Sequence, residues 1–140
     1  MNNKYLFLDF DGVMHSTKDN AIFFERLNLI SPLIEKYSVK IIISSSWRFQ
    51  FSLEKIKSYF PLNIQDKILD VTGAPSIGKH ARYHEIKNYL KHHDKSLADW
   101  KALDDTSFEF PENCENLILC SPNLGIQAKQ INELEIWLNN

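Results

Sequence analysis

Two aspartates one residue apart, Asp9 and Asp11, close the first apolar run of the chain, Lys4-Tyr5-Leu6-Phe7-Leu8-Asp9-Phe10-Asp11-Gly12-Val13. A short apolar run bounded by glycine predicts a buried strand. Burying a carboxylate at the end of such a strand is costly unless a cation or hydrogen-bond donors compensate it. Two acids there point to a metal or phosphoryl site, with an ordinary Asx turn as the plainer alternative. One strand-end aspartate can attack phosphorus and form an acyl phosphate. An acid two residues on lies close enough to protonate the leaving oxygen and then to activate a water.

Other segments carry groups suited to the same task. The run Val39-Lys40-Ile41-Ile42-Ile43 leads into Ser44-Ser45-Ser46-Trp47-Arg48, and Trp100-Lys101-Ala102-Leu103 leads into Asp104-Asp105-Thr106-Ser107. Gly78-Lys79-His80-Ala81-Arg82 opens an amphipathic stretch. The patterning predicts strands at residues 5–10, 39–44, 68–71, 100–103 and 117–120, and helices at 31–37, 52–60, 81–92 and 126–138. Continuous apolar strands alternating with amphipathic helices imply an α/β fold: a Rossmann-like parallel sheet flanked by helices on both faces. In such sheets the site lies at the carboxyl ends of the strands.

Asp9, Asp11, Asp104 and Asp105 then share one edge with the serines and with a cation from Lys79 or Arg82. Four uncompensated carboxylates repel strongly in a partly desolvated cleft. A hard divalent cation with oxygen ligands balances them, and Mg²⁺ fits best because it favours a few carboxylates plus a substrate phosphate. The serine hydroxyls and the cationic side chain would hold the equatorial oxygens of a phosphoryl group. No Cys or His cluster has zinc spacing.

Composition bounds the rest. With 140 residues, 44% apolar and 24% charged, the chain is expected to form one globular domain, residues 1–140. A net charge of −2 leaves no global basic field for nucleic acid or an anionic membrane. Cys114 and Cys120 make no disulfide framework, and no signal peptide or membrane span is read, so a reduced, cytoplasmic location is expected.

These residues, in this order, resemble the haloacid dehalogenase (HAD) superfamily of aspartate-nucleophile phosphohydrolases. The resemblance is carried by Leu8-Asp9-Phe10-Asp11-Gly12-Val13, by Ile43-Ser44-Ser45-Ser46-Trp47-Arg48 and by Leu103-Asp104-Asp105. Ser-Ser-Trp-Arg, Arg82-Tyr83-His84-Glu85-Ile86, Ala102-Leu103-Asp104-Asp105 and Gly125-Ile126 look like the capless branch named for Swiss Army knife RNA-repair proteins. The resemblance implies Asp9 as nucleophile and metal ligand. It implies Asp11 as general acid/base, with its main-chain carbonyl also on the metal, and Asp104 and Asp105 completing the metal site. The phosphate-binding hydroxyl is Ser44 or Ser45, with Ser45 favoured by its place two before Trp47. The remaining phosphate-binding cation is Lys79 or Arg82, with Arg82 favoured by the Arg-Tyr-x-Glu-Ile pattern.

About 30 residues separate Asp11 from Ser44, and a similar number separate Ser46 from Lys79, which leaves no room for a folded cap. An open site excludes water poorly unless the substrate closes it. A large phosphorylated substrate is therefore expected, such as an RNA or DNA end. A small molecule or phosphoprotein substrate and an inactive binding module or repair-complex subunit are the alternatives. A receiver domain is disfavoured because its adjacent acid pair comes first, whereas here Asp104-Asp105 comes late. Arg48 and His15 are placed where either could touch a substrate phosphate or base, with a loop residue of no role an equal alternative for His15. His84, Lys87 and Lys91 are read as a basic or merely solvated helix face. Trp47 and the Phe23-Phe24 pair are read as core anchors rather than stacking surfaces.

Overall fold

The computed structural model describes residues 4–140. Five strands, β1 (Lys4–Leu8), β2 (Lys40–Ile43), β3 (Ile68–Val71), β4 (Asp99–Asp104) and β5 (Leu117–Leu119), form one sheet in the order β3-β2-β1-β4-β5. Every pairing is parallel. Parallel neighbours need crossovers, and helices supply most of them. They are α1 (Leu27–Lys36), α2 (Leu53–Lys57), α3 (Leu62–Gln65), α4 (Ala81–His92) and α5 (Ala128–Leu138).

All of β1 is buried, as is expected of a central strand covered on both faces. Its residues alternate between two cores. Leu6 and Leu8 pack with Ile41, Ile43 and Leu103 against side chains from α1, α2, α3 and α5. Tyr5 and Phe7 pack with Ile42, Trp100 and Ala102 against Ile86, Tyr89 and Leu90 of α4. Each fully buried aliphatic side chain contributes about 1.5–3 kcal/mol, so these alternating sets hold the layers together. At the other end of β1, the buried Lys4 ammonium donates to main-chain oxygens of Trp137 (2.7 Å) and Asn140 (2.7 Å), tying the strand to the end of α5.

Element boundaries differ from the sequence reading where proline or a turn intervenes. A helix is predicted over 52–60; the helix found there, α2, is shorter (Leu53–Lys57), with a 3₁₀ turn (Ser46–Phe49) before it and α3 after it. Pro61 disfavours helical backbone at the residue before it and opens α3. Helix α1 starts at Leu27 rather than Ser31 and carries Pro32 as its sixth residue, forfeiting one backbone hydrogen bond. No cap domain is present among the described residues. The strand order reverses between β1 and β4, the crevice where open α/β sheets place their sites.

Candidate active site

The carboxyl ends of β1 and β4 deliver the acids. The amide of Asp9 donates to the Leu103 carbonyl (3.1 Å), so the ladder runs past the end of β1 and fixes Asp9 against Asp104. One carboxylate oxygen from each of Asp9, Asp104 and Asp105 lies within 4.8 Å of the others. Gly12 makes this approach possible. Its φ is +78°, and a Cβ there would run into the Asp105 carboxylate.

Arg82, in the first turn of α4, points its Nη1 at Asp104 Oδ2 (2.9 Å) and Asp9 Oδ1 (3.4 Å). One guanidinium faces three carboxylates. Burial, then the Asp104 charge, push the Asp9 carboxyl well above its ordinary range, although Arg82 pulls it back. Burial also raises Asp104 to about 6, with Arg82 opposing and Asp105 adding to the rise. Positive charge brought among them would favour their anionic forms. Three convergent carboxylate oxygens suit a hard divalent cation, which would offset the cost that burial imposes on Asp9 and Asp104.

Asp11 sits at the mouth, with its side chain 54% exposed. Its Oδ1 accepts from His15 Nε2 (2.8 Å) and its Oδ2 from Trp47 Nε1 (3.2 Å). His15 is buried, and its Nδ1 accepts the Phe24 amide (3.2 Å), which assigns the ring proton to Nε2. Both oxygens of Asp11 are therefore aimed by donors that the fold itself holds.

The family model for the HAD domain in Swiss Army Knife RNA repair proteins matches residues 5–131. The chain belongs to this family. No curated protein and no solved structure matches it. The capless parallel sheet and the strand-end acids are those of a HAD-type phosphohydrolase fold. No helix is long and apolar enough to cross a membrane.

Within this HAD domain the structure brings Asp9, Asp104, Asp105 and Arg82 together, while Asp11, two residues on from Asp9, has its carboxylate on His15 and Trp47. Ser44 and Ser45 follow β2 and are both buried. Ser45 Oγ accepts the Trp47 amide (3.2 Å), which leaves its hydroxyl proton free to donate. Ser44 Oγ has no protein hydrogen-bond partner. Arg48 takes a different place from the one read in the sequence. Its guanidinium, whose side chain is 2% exposed, donates to the carbonyls of Ser44 (2.9 Å), Ser45 (3.0 Å), Thr72 (3.1 Å) and Gly73 (3.2 Å) and to Glu85 Oε1 (2.9 Å). It braces the serine turn from beneath. Lys79 is exposed and lines a groove of about 900 Å³ with His80, Phe108 and Glu109, without an ion pair among the described residues.

Glu85 lies in the Arg82-Tyr83-His84-Glu85-Ile86 segment, where the sequence assigns it no role. Buried on α4, it accepts from Arg48, lies 3.7 Å from Arg82 Nε, and takes the Ser76 amide on Oε2 (3.1 Å). Its spacing of three from Arg82 puts both on one helix face, the one signal that could have found it. His15 is likewise buried beneath Asp11, a place that neither of its two sequence readings, substrate contact or loop residue without a role, describes.

Proposed function

We propose that this HAD domain is a phosphomonoester hydrolase that requires Mg²⁺, works through an aspartyl phosphate on Asp9, and acts on phosphorylated RNA or DNA ends. The observation that carries the reading is the pairing of a buried Asp9, faced by Arg82, with an exposed Asp11 whose two oxygens are aimed by His15 and Trp47. Asp9, Asp104 and Asp105, with the main-chain carbonyl of Asp11, would hold Mg²⁺, which when bound supplies the positive charge that lets a carboxylate meet a phosphate dianion.

The remaining chemistry belongs to the chain. A carboxylate oxygen of Asp9 bonds to phosphorus as the ester P–O bond breaks, and Asp11 gives its proton to the departing oxygen. Ionised Asp11 then takes a proton from a water whose oxygen attacks phosphorus, freeing the Asp9 carboxylate and inorganic phosphate. The Ser45 hydroxyl and the Arg82 guanidinium would hold equatorial oxygens, where charge lies in the transition state. The open, capless edge favours a substrate large enough to cover it, and the family's RNA-repair description points the same way.

The test is hydrolysis of a generic aryl phosphate and of end-phosphorylated RNA and DNA oligonucleotides, with and without Mg²⁺, using Asp9→Asn as control. Turnover that needs both Mg²⁺ and Asp9, with a preference for one terminus, is the expected result. Full turnover by Asp9→Asn overturns the nucleophile assignment, and Mg²⁺ binding without turnover of any substrate moves the domain to a binding role.

A further inference from the structure

The geometry points to Phe23 as the platform on which the nucleobase of the leaving group stacks. This rests on the reading of Asp11 as the acid beside the leaving oxygen. Phe23 is 61% exposed, yet its ring is held at 5.0 Å from His15 and 5.3 Å from Trp47. Those two side chains are the donors to the two oxygens of Asp11. Whatever substituent the leaving oxygen carries must lie next to Asp11, and Phe23 is the exposed apolar surface built onto the same scaffold.

The backbone holds this ring outward. Phe24 adopts φ +62°, a left-handed conformation that is an outlier for a bulky residue. Its own ring is buried against Phe10, Tyr59 and Phe60, and its amide bonds His15. The chain therefore reverses between two phenylalanines, sending one into the core and fixing the other beside the acid. A fixed aromatic face loses little conformational freedom when a planar group covers it, and a nucleobase offers such a face whatever its identity. A seryl or glyceryl substituent has no flat surface and leaves the ring exposed.

The experiment compares kcat/KM of wild type, Phe23→Ala and Phe23→Tyr on adenosine 5′-monophosphate, adenosine 3′-monophosphate, a 5′-phosphorylated oligonucleotide, ribose 5-phosphate and phosphoserine. Tryptophan fluorescence is followed in the same titrations. Trp100 and Trp137 are buried, so quenching by a ligand reports on Trp47, the neighbour of Phe23. Wild type should favour base-bearing over base-free substrates about tenfold, the size of one lost base–aromatic stack. The ratio should fall near one in Phe23→Ala, persist in Phe23→Tyr, and be matched by quenching only with base-bearing ligands. The two monophosphates and the oligonucleotide distinguish a free nucleotide from a strand end. A ratio near one in wild type, a ratio that survives Phe23→Ala, or a preference for phosphoserine overturns the inference while leaving the phosphatase intact. If nothing is hydrolysed, the phosphatase reading falls. Quenching by the nucleotides, and its loss in Phe23→Ala, then still decides whether Phe23 meets a base.

Discussion

His15 donates its Nε2 proton to Asp11 Oδ1 across 2.8 Å from a fully enclosed position, its other ring nitrogen satisfied by the Phe24 amide. The histidine acts on Asp11 by orientation. His15→Ala should lower kcat by roughly tenfold to a hundredfold, as loss of a supporting hydrogen bond commonly does. KM should change little, and His15→Gln, which keeps a donor, should recover part of the rate. Steady-state kinetics on an alkyl phosphate would show this most clearly, because a poor leaving group depends most on the acid.

Glu85 compensates the enclosed guanidinium of Arg48. Removing one partner of a buried pair leaves the other uncompensated and costs about 3–5 kcal/mol. Glu85→Ala should therefore lower the melting temperature by about 10 °C in a domain of this size. Glu85→Gln keeps an acceptor for Arg48 and should lose much less. A melting temperature for Glu85→Ala within a degree of wild type would show that the pair contributes nothing.

Asp104 titrates near 6 in the fold and at 3.8 in the reference state, so the folded form binds the proton more tightly. Folding takes up a proton between those pH values, and stability from this group falls as pH rises through that window and stays lower above it. Asp9, raised by the same burial, adds in the same direction. Without metal, wild type should lose stability relative to Asp104→Asn as pH rises from about 4 to 6. Mg²⁺ bound at the proposed site would compete with those protons. Its stabilisation, about 2.7 kcal/mol at a hundred times Kd, should be larger at pH 7.5 than at pH 5. Equal thermal shifts at both pH values would place the cation elsewhere.

Arg82 and Lys79 separate cleanly. Arg82 reaches Asp9 and Asp104, whereas Lys79 faces a groove. Arg82→Ala should reduce kcat/KM by about a hundredfold to a thousandfold, the loss expected for a preorganised donor at developing charge. Lys79→Ala should stay within about threefold of wild type on a small aryl phosphate, since it lacks a site contact to lose. A reversed order would reassign the cation.

The strands were legible because short, β-branched apolar runs such as Ile41-Ile42-Ile43, alternating with amphipathic stretches, suit a sheet covered on both sides. The acids were legible because Asp9 and Asp104 interrupt those runs where burial makes charge expensive. Arg48 was not, because an arginine after a serine turn looks the same whether it faces a phosphate or four main-chain carbonyls. Only the approach of Thr72 and Gly73, over 20 residues away, decides it. Phe23 and Phe24 were read together, but one left-handed residue gives them opposite fates. Pairings that depend on such a reversal leave no periodic trace in the chain.

The link from Lys4 to Trp137 spans 133 positions. A chain emerging from the ribosome displays Asp9 and Asp11 long before α5 exists to receive that ammonium. The strand that leads into Asp9 thus gains its last fastening only when the final helix docks. Metal binding at Asp9 should be acquired late in synthesis and should be lost when α5 is trimmed, even though that helix contributes no residue to the acidic cluster.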